Sequence, residues 1–221
     1  MLNASSLISV DGQQTRHRLL YEALRLFSEQ GFAKTSIRAI AQAAQVNVSA
    51  ISYYFGDKEG LYRAAFFETS CQENMQAMLA PFSAPELGLE AALRLYYQVM
   101  LAPLQEGAAA QQSMRLYLRE MLEPTGLWQE EIAHRLRPTY EAMWRVLCRH
   151  VGVTEVDEGI RWLALAINGM PIHLQAVQEV VQTLNPELGA PEQQVLPAVE
   201  AFTAYAVALV AAEKNRREMT S

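Results

Sequence analysis

The chain has 221 residues, 51% hydrophobic and 19% charged, with a net charge of −6. This balance excludes an intrinsically disordered chain and is enough for a sizeable core in one or two domains. The negative sum argues against a uniformly basic nucleic-acid binder, but the charge is unevenly placed. Seven Lys/Arg face five Asp/Glu through residue 63, and eleven face nineteen beyond it. A weakly positive N-terminal part therefore precedes an acidic remainder.

Residues 1–13 lack the basic start and long apolar stretch of a secretory signal, and no Lys or Arg precedes Arg16. They are expected to form a flexible arm. A first helix is predicted from Gln14 to Gln30, with Leu19, Leu20, Ala23, Leu26 and Phe27 as its apolar stripe and Gly31 as its stop. The stretch Thr35 to Leu61 then reads as two short helices joined by a tight turn. The first runs from Ser36 to Ala44, capped by Thr35, with Ile37, Ile40, Ala41 and Ala44 on one face. Gln45-Val46-Asn47 forms the turn, and Asn47 is the expected cap of a second helix from Val48 to Phe55. Ile51 and Phe55 should point inward, leaving Ser49, Ala50, Ser52 and Tyr53 outward. Such a helix-turn-helix lays its second helix in the DNA major groove. Gly56-Asp57 breaks the chain, with Asp57 as N-cap of the next helix.

Everything beyond is helical in period, with no alternating strand pattern. Helices are predicted over Lys58–Leu79, Glu86–Leu104, Ala108–Leu122, Pro138–Val151, Val156–Leu184 and Glu192–Glu213, with a short segment around Gly126–Leu136. The expected architecture is all-α with about nine helices: a three-helix head at residues 14–60, a helical ligand-binding and dimerisation body at 61–216, and a polar tail at 217–221. The last two helices are apolar on two faces. Val195, Val199, Phe202, Ala206, Leu209 and Val210 form one stripe of the final helix, with small alanines around it. Ile160, Leu163, Ala164 and Ile167 oppose Trp162, Leu165 and Ala166 on the other. Such helices are either wholly internal or form a two-fold interface, and a palindromic DNA site favours the second, over residues 156–184 and 192–213.

Candidate DNA contacts are Thr35, Arg38, Asn47, Ser49, Ala50, Ser52, Tyr53 and Lys58. Thr35 and Asn47 lie at helix N-termini, where backbone N–H groups meet phosphate. Tyr53 and Lys58 suit phosphate oxygens. The short side chains of Ser49, Ala50 and Ser52 allow only sparse base reading. Tyr54 divides evenly between packing in the head and touching DNA. In the body, Met100, Leu104, Tyr117, Arg119, Trp128, Trp144, Asn168, Met170 and His173 have the mixed character of a cavity for a small apolar or aromatic effector. Pro171 is expected to kink its helix beside them. Each aromatic is equally well read as plain core.

No GxSxG, HExxH, P-loop or GxGxxG motif occurs, so no enzyme is indicated. Glu130-Glu131 and Asp157-Glu158 are sequential and face apart on a helix. Cys71 and Cys148 have no metal-binding spacing, and neither metal nor cofactor is expected. No uninterrupted apolar run reaches the ~18 residues of a membrane span. A cytoplasmic location is expected.

Thr35, Ile40-Ala41, Ala44, Val46, Tyr53-Tyr54-Phe55, Lys58 and Leu61 stand in register with the DNA-binding core of the TetR family of transcriptional regulators, which this stretch resembles. Gln45 replaces the family's usual Gly and Asn47 its usual Ser, and a slightly altered turn backbone is expected at Gln45. Ala50-Ile-Ser-Tyr-Tyr-Phe-Gly, Leu118-Arg-Glu-Met-Leu-Glu-Pro-Thr-Gly and Arg137-Pro138 resemble a CecR-like branch. The resemblance implies a homodimeric, ligand-responsive repressor of a double-stranded DNA operator. The alternative is a helical small-molecule-binding protein without operator-specific DNA binding, which a second helix with no Lys or Arg keeps open.

Overall fold

The computed structural model describes residues 10–68, 70–126 and 136–219; Trp128, Glu130-Glu131 and most of the N-terminal arm lie outside them. Among the described residues the chain is all-α, with no strand. Its helices are α1 (Val10–Lys34), α2 (Ile37–Ala43), α3 (Ser49–Phe55), α4 (Lys58–Phe67), α5 (Ser70–Ser83), α6 (Leu89–Leu101), α7 (Ala108–Leu122), α8 (Arg137–Val151), α9 (Glu158–Ala176), α10 (Gln178–Leu184) and α11 (Pro191–Glu218). They form two compact units, one of Met1–Ser70 with Ala108–Leu127, the other of Cys71–Gly107 with Trp128–Ser221.

In the first unit, Leu19, Ala23 and Phe27 of α1 meet Ile40 of α2, Ile51 of α3 and Leu61 and Ala65 of α4 in a fully buried core. The rings of Phe27, Phe32 and Tyr62 close it from one side, with Tyr62 edge-on to both phenylalanines at 4.9 and 5.1 Å between centroids. Helical geometry starts four residues earlier than the sequence indicates, at Val10, and is interrupted at Gly31 (φ 80, ψ 166). α7 packs along α1 and against α4. α4 buries Leu61, Tyr62, Ala65 and Phe66 and α7 buries Ala110, Leu116 and Glu120 within the first unit.

The predicted helix Lys58–Leu79 is two helices. The chain leaves α4 at Glu68 (φ −92, ψ 54), and α5 begins at Ser70. Asp57 caps α4 as expected, its carboxylate accepting the Gly60 N–H at 2.8 Å. Gly60 has a second role that its position in a regular helix conceals. A Cβ there would lie 2.0 Å from the Phe55 carbonyl oxygen, so only glycine allows α4 to pass this close to the end of α3.

Gln45 adopts φ +56. The turn keeps the left-handed backbone that a glycine takes, rather than changing shape to suit the larger residue. A non-glycine residue in that region costs ~1–2 kcal/mol, and the greater freedom of glycine in the unfolded chain returns part of this. Gln45→Gly is thus expected to stabilise the protein by about 0.5–1 kcal/mol, seen as a raised urea midpoint. A lowered midpoint would mean that the glutamine side chain makes a compensating contact.

In the second unit α6, α8, α9 and α11 surround a core containing Tyr97, Leu93, Leu101, Met143, Leu147, Ile160, Ile167 and Ala206. Met78 and Phe82 of α5 join it. The predicted Val156–Leu184 helix is again two, parting at Val177 (φ −117, ψ 29) rather than at Pro171. Helix α9 continues through Pro171 because a side chain takes over the missing bond. Proline has no N–H for the Ile167 carbonyl, and the Tyr97 hydroxyl donates to that oxygen at 3.2 Å. Asp157 caps α9 and binds Arg217 of α11 at 2.7 and 2.8 Å. This pair, chiefly through the Arg217 hydrogen bonds, holds the Asp157 carboxyl well below the usual carboxylate range.

Candidate nucleic-acid interface

The outward row of α3 follows from its inward one. Ile51 is completely buried against the head core, and with 3.6 residues per turn this turns Ser49, Ser52 and Tyr53 to solvent. Ala50 is half-buried. Tyr53 is 76% exposed, with its ring edge-on to Tyr54 at 4.8 Å. Tyr54 is half-buried and leans on Phe55. The Asn47 side chain accepts hydrogen bonds from the Ser49 N–H at 2.9 Å and the Ser49 hydroxyl at 2.8 Å. Asn47 therefore caps α3, and its carboxamide oxygen is committed to that task.

Thr35 does something different from what its position implies. It is only 1% exposed. Its hydroxyl lies 3.2 Å from the Leu26 carbonyl and 2.8 Å from that of Gly31, donating where α1 is interrupted. Ser36 is the cap of α2, accepting the Ala39 N–H at 3.1 Å. Two adjacent hydroxyl residues divide the work, one buried and closing α1, the other exposed and opening α2. Sequence alone could not assign them, because either is chemically a cap. Arg38 is exposed on α2. The Lys58 ammonium rests over the Phe32 ring, 4.3 Å from its centroid, and burial lowers its pKa.

The residues expected to hold an effector divide between the units. Tyr117 and Arg119 belong to the first, where Tyr117 stacks on Phe66 at 6.3 Å. The Arg119 guanidinium donates to the Ser28 carbonyl at 3.3 Å and the Glu29 carbonyl at 3.1 Å, and pairs with Glu123 at 3.0 Å. In the second unit Met100, Leu104 and Asn168 are buried, Met170 and Trp144 half-buried, and His173 exposed. Arg161 lies over the Trp144 ring. The Tyr96 hydroxyl donates to Asn168 Oδ1 at 2.6 Å. One buried group escaped the sequence reading. Gln175 donates to the Met100 and Pro171 carbonyls, while its own Oε1 has no partner. Its signal was available, since Gln175 continues the buried row Ile160, Ala164, Ile167, Asn168 and Pro171 on α9.

The second unit also presents an apolar surface. Trp162 (63%) and Leu165 on α9 are exposed, as are Tyr205 and Leu209 on α11 with Ala204, Ala208 and Ala212; Leu196, also exposed, lies half a turn round α11 from Tyr205. A groove of about 650 Å³ runs between the two helices, lined by Leu163, Ala166 and Leu209, with Asp157, Glu213 and Arg216 among its charged residues. The Val195, Val199, Ala206 and Val210 stripe of α11 faces the core instead, and Phe202 packs on Tyr97 at 5.7 Å. By length and composition α11 could cross a membrane, with a mean hydropathy of 1.8, although the sequence has no unbroken apolar run of that length.

The sequence matches the family described as bacterial regulatory proteins, tetR family, over residues 19–65, and the C-terminal domain of the HTH-type transcriptional dual regulator CecR over residues 89–211. CecR of Shigella flexneri is 44% identical over 57 residues, 26% of this chain and 25% of that protein. The chain spans about a quarter of the length of the first curated relatives it matches. The fold is similar to that of a TetR-like transcriptional regulator from Rhodococcus sp. RHA1, with a TM-score of 0.64 at 20% identity, over 89% of this chain and 96% of that one. It is also similar to SmeT in complex with triclosan, with a TM-score of 0.60 at 22% identity, over 86% and 90%.

Proposed function

Because the chain belongs to the TetR family of bacterial transcriptional regulators, in its CecR-like branch, we propose that it is a cytoplasmic, homodimeric repressor released from a palindromic operator by a small apolar or aromatic compound. The observation that carries the DNA part of this reading is the exposed row Ser49, Ser52 and Tyr53, held on a helix whose opposite face is locked by Ile51. With no Lys or Arg on α3, affinity rests on backbone N–H groups at the starts of α2 and α3, on Arg38, Tyr53 and Lys58, and on dimer avidity. Lys58 reaches phosphate by leaving the Phe32 ring, a contact worth about 0.5–1 kcal/mol at an exposed site.

The apolar face on α9 and α11 is the proposed two-fold interface. Burial against a second copy explains its composition better than lipid does, because Arg94 forms an ion pair with Glu200 part-way along α11 and charges within a membrane are costly. For the effector, SmeT supplies an analogy, being the repressor of a multidrug efflux pump and bound to triclosan in the complex. In this chain the Gln175 Oε1 and the Tyr96–Asn168 pair, amid Met100 and Leu104, are the polar groups that would orient such a ligand. The ligand acts only through its different affinity for the bound and released states.

Tyr53→Ala and Lys58→Ala are expected to weaken operator binding roughly tenfold each, on every sequence, and to lower the salt slope by about one per lost contact. Fluorescence anisotropy with an operator duplex at several salt concentrations measures both. Wild-type binding by both variants would remove the contact assignment. A wild-type protein that prefers no duplex would favour the small-molecule-binding alternative.

A further inference from the structure

We infer that Arg16 is a positioning residue for DNA reading, tying the far end of the recognition helix to the end of α4. The other arginines of α1 are engaged locally, Arg18 with Thr15 and Arg25 with Glu22 and Glu29. Arg16 instead reaches two other helices. Its guanidinium lies over the ring of Phe55, the last residue of α3, at 5.1 Å from the centroid. It also pairs with the Glu68 carboxylate, 52 residues away, at 2.7 Å. Glu68 is the residue at which α4 leaves helical geometry.

These contacts bear on α3 because they tie its C-terminal end to α1, in addition to the close approach of α4 at Gly60. Helix α3 has only seven residues, and Ile51 alone is fully buried. Ile51 fixes its position on the core but not its rotation about that point. The N-terminal end is fixed by the Asn47 cap. The C-terminal end carries Phe55, half-buried, with Gly56 immediately beyond it. The planar guanidinium covers the Phe55 ring while its edge binds Glu68, a pairing of tasks that suits arginine better than lysine. Without it, the Phe55 side chain loses its cover on the α1 side, and the row Ser49, Ser52 and Tyr53 is held less firmly at its angle to the base edges.

The inference rests on the proposal that α3 reads DNA, and the test separates the two. The duplex comes from selection with the wild-type protein on a random-sequence library. Failure to enrich any sequence would end the DNA-reading proposal and this inference with it. With a selected duplex and an unrelated duplex of equal length, Arg16→Ala is expected to weaken binding to the first by about tenfold or more at every salt concentration. Binding to the unrelated duplex stays within about twofold, and the salt slope is unchanged, because no phosphate contact is lost. Arg16→Lys restores only part of the loss, because lysine keeps the charge opposite Glu68 but not the planar group over Phe55. Glu68→Gln shows a smaller loss, and adding it to Arg16→Ala costs nothing more, since the two act through one contact. Titration against excess duplex gives the active fraction, so unfolded protein does not mimic the effect. Equal weakening on both duplexes, a reduced salt slope, or no loss on the selected duplex would each overturn the assignment.

Discussion

Replacing Trp162 by glutamate is expected to leave the protein as monomers of 24.7 kDa by light scattering, and to weaken binding to a palindromic duplex by about two orders of magnitude or more. Trp162 is a large side chain left 63% exposed, and it lines the α9–α11 groove with Ala166 and Leu209; burying each such group against a partner stabilises the pair by about 1.5–3 kcal/mol. Interface energy concentrates in large aromatic residues at the centre of such a patch. A two-fold interface doubles every change, so the substitution would place two carboxylates in a desolvated contact, each costing several kcal/mol. Leu209→Glu should act in the same way. Leu122→Glu is the control, because Leu122 is even more exposed but lies on α7 in the first unit. Phe202, nominated by the helical stripe, is unsuitable because its ring packs on Tyr97 in the core. Wild-type mass for both Trp162→Glu and Leu209→Glu would exclude this face as the interface.

Glu120→Leu is expected to destabilise the first unit by about 2–4 kcal/mol, because three buried or part-buried donors lose their acceptor at once. Glu120 is 2% exposed. Its Oε2 accepts from the Tyr62 hydroxyl at 2.6 Å, and its Oε1 accepts from the Thr125 N–H and the Thr125 hydroxyl, both at 2.8 Å. Burial and then the Glu120 bond push the Tyr62 hydroxyl well above the ordinary phenol pKa, so it remains a donor. Tyr62→Phe removes one bond and keeps the others, at about 1 kcal/mol. Glu120→Gln is the sharper variant. Its oxygen can keep Tyr62 or Thr125, but its amide nitrogen must then face the other's donor, at about 1–3 kcal/mol. The measurement is the urea midpoint of the full chain, followed by the near-ultraviolet signal of the Tyr62 cluster. A Glu120→Gln midpoint equal to wild type would show that the carboxylate is dispensable there.

This network accounts for part of the Leu118–Gly126 motif in the first unit, including Arg119, which the sequence placed among the effector contacts. Arg119 holds the carbonyls of Ser28 and Glu29 near the end of α1, and Glu120 holds α4 through Tyr62. Adjacent residues on one helix thus serve α1 and α4. A charged pair in an apolar helix signals that partners exist; it does not say in which helices.

Local chemistry was enough to read the helix-turn-helix from the sequence. Ile40, Ala41 and Ile51 recur at helical spacing, Asp57 caps at the expected place, Asn47 caps α3, and α7 has the predicted limits Ala108–Leu122. Each depends on residues within a turn or two of one another. What required the tertiary structure were choices between equivalent local options. Thr35 and Ser36 are both cap formers, and the carbonyls of Leu26 and Gly31 that Thr35 reaches decide which is buried. Pro171 removes the donor to the Ile167 carbonyl, a Tyr97 hydroxyl from another helix takes that carbonyl, and α9 runs on to Ala176, with the break at Val177. On α11 two faces are apolar, so periodicity cannot say which one meets the core. Packing against α6, α8 and α9 buries Val195, Val199, Ala206 and Val210 and leaves Leu196, Tyr205 and Leu209 exposed.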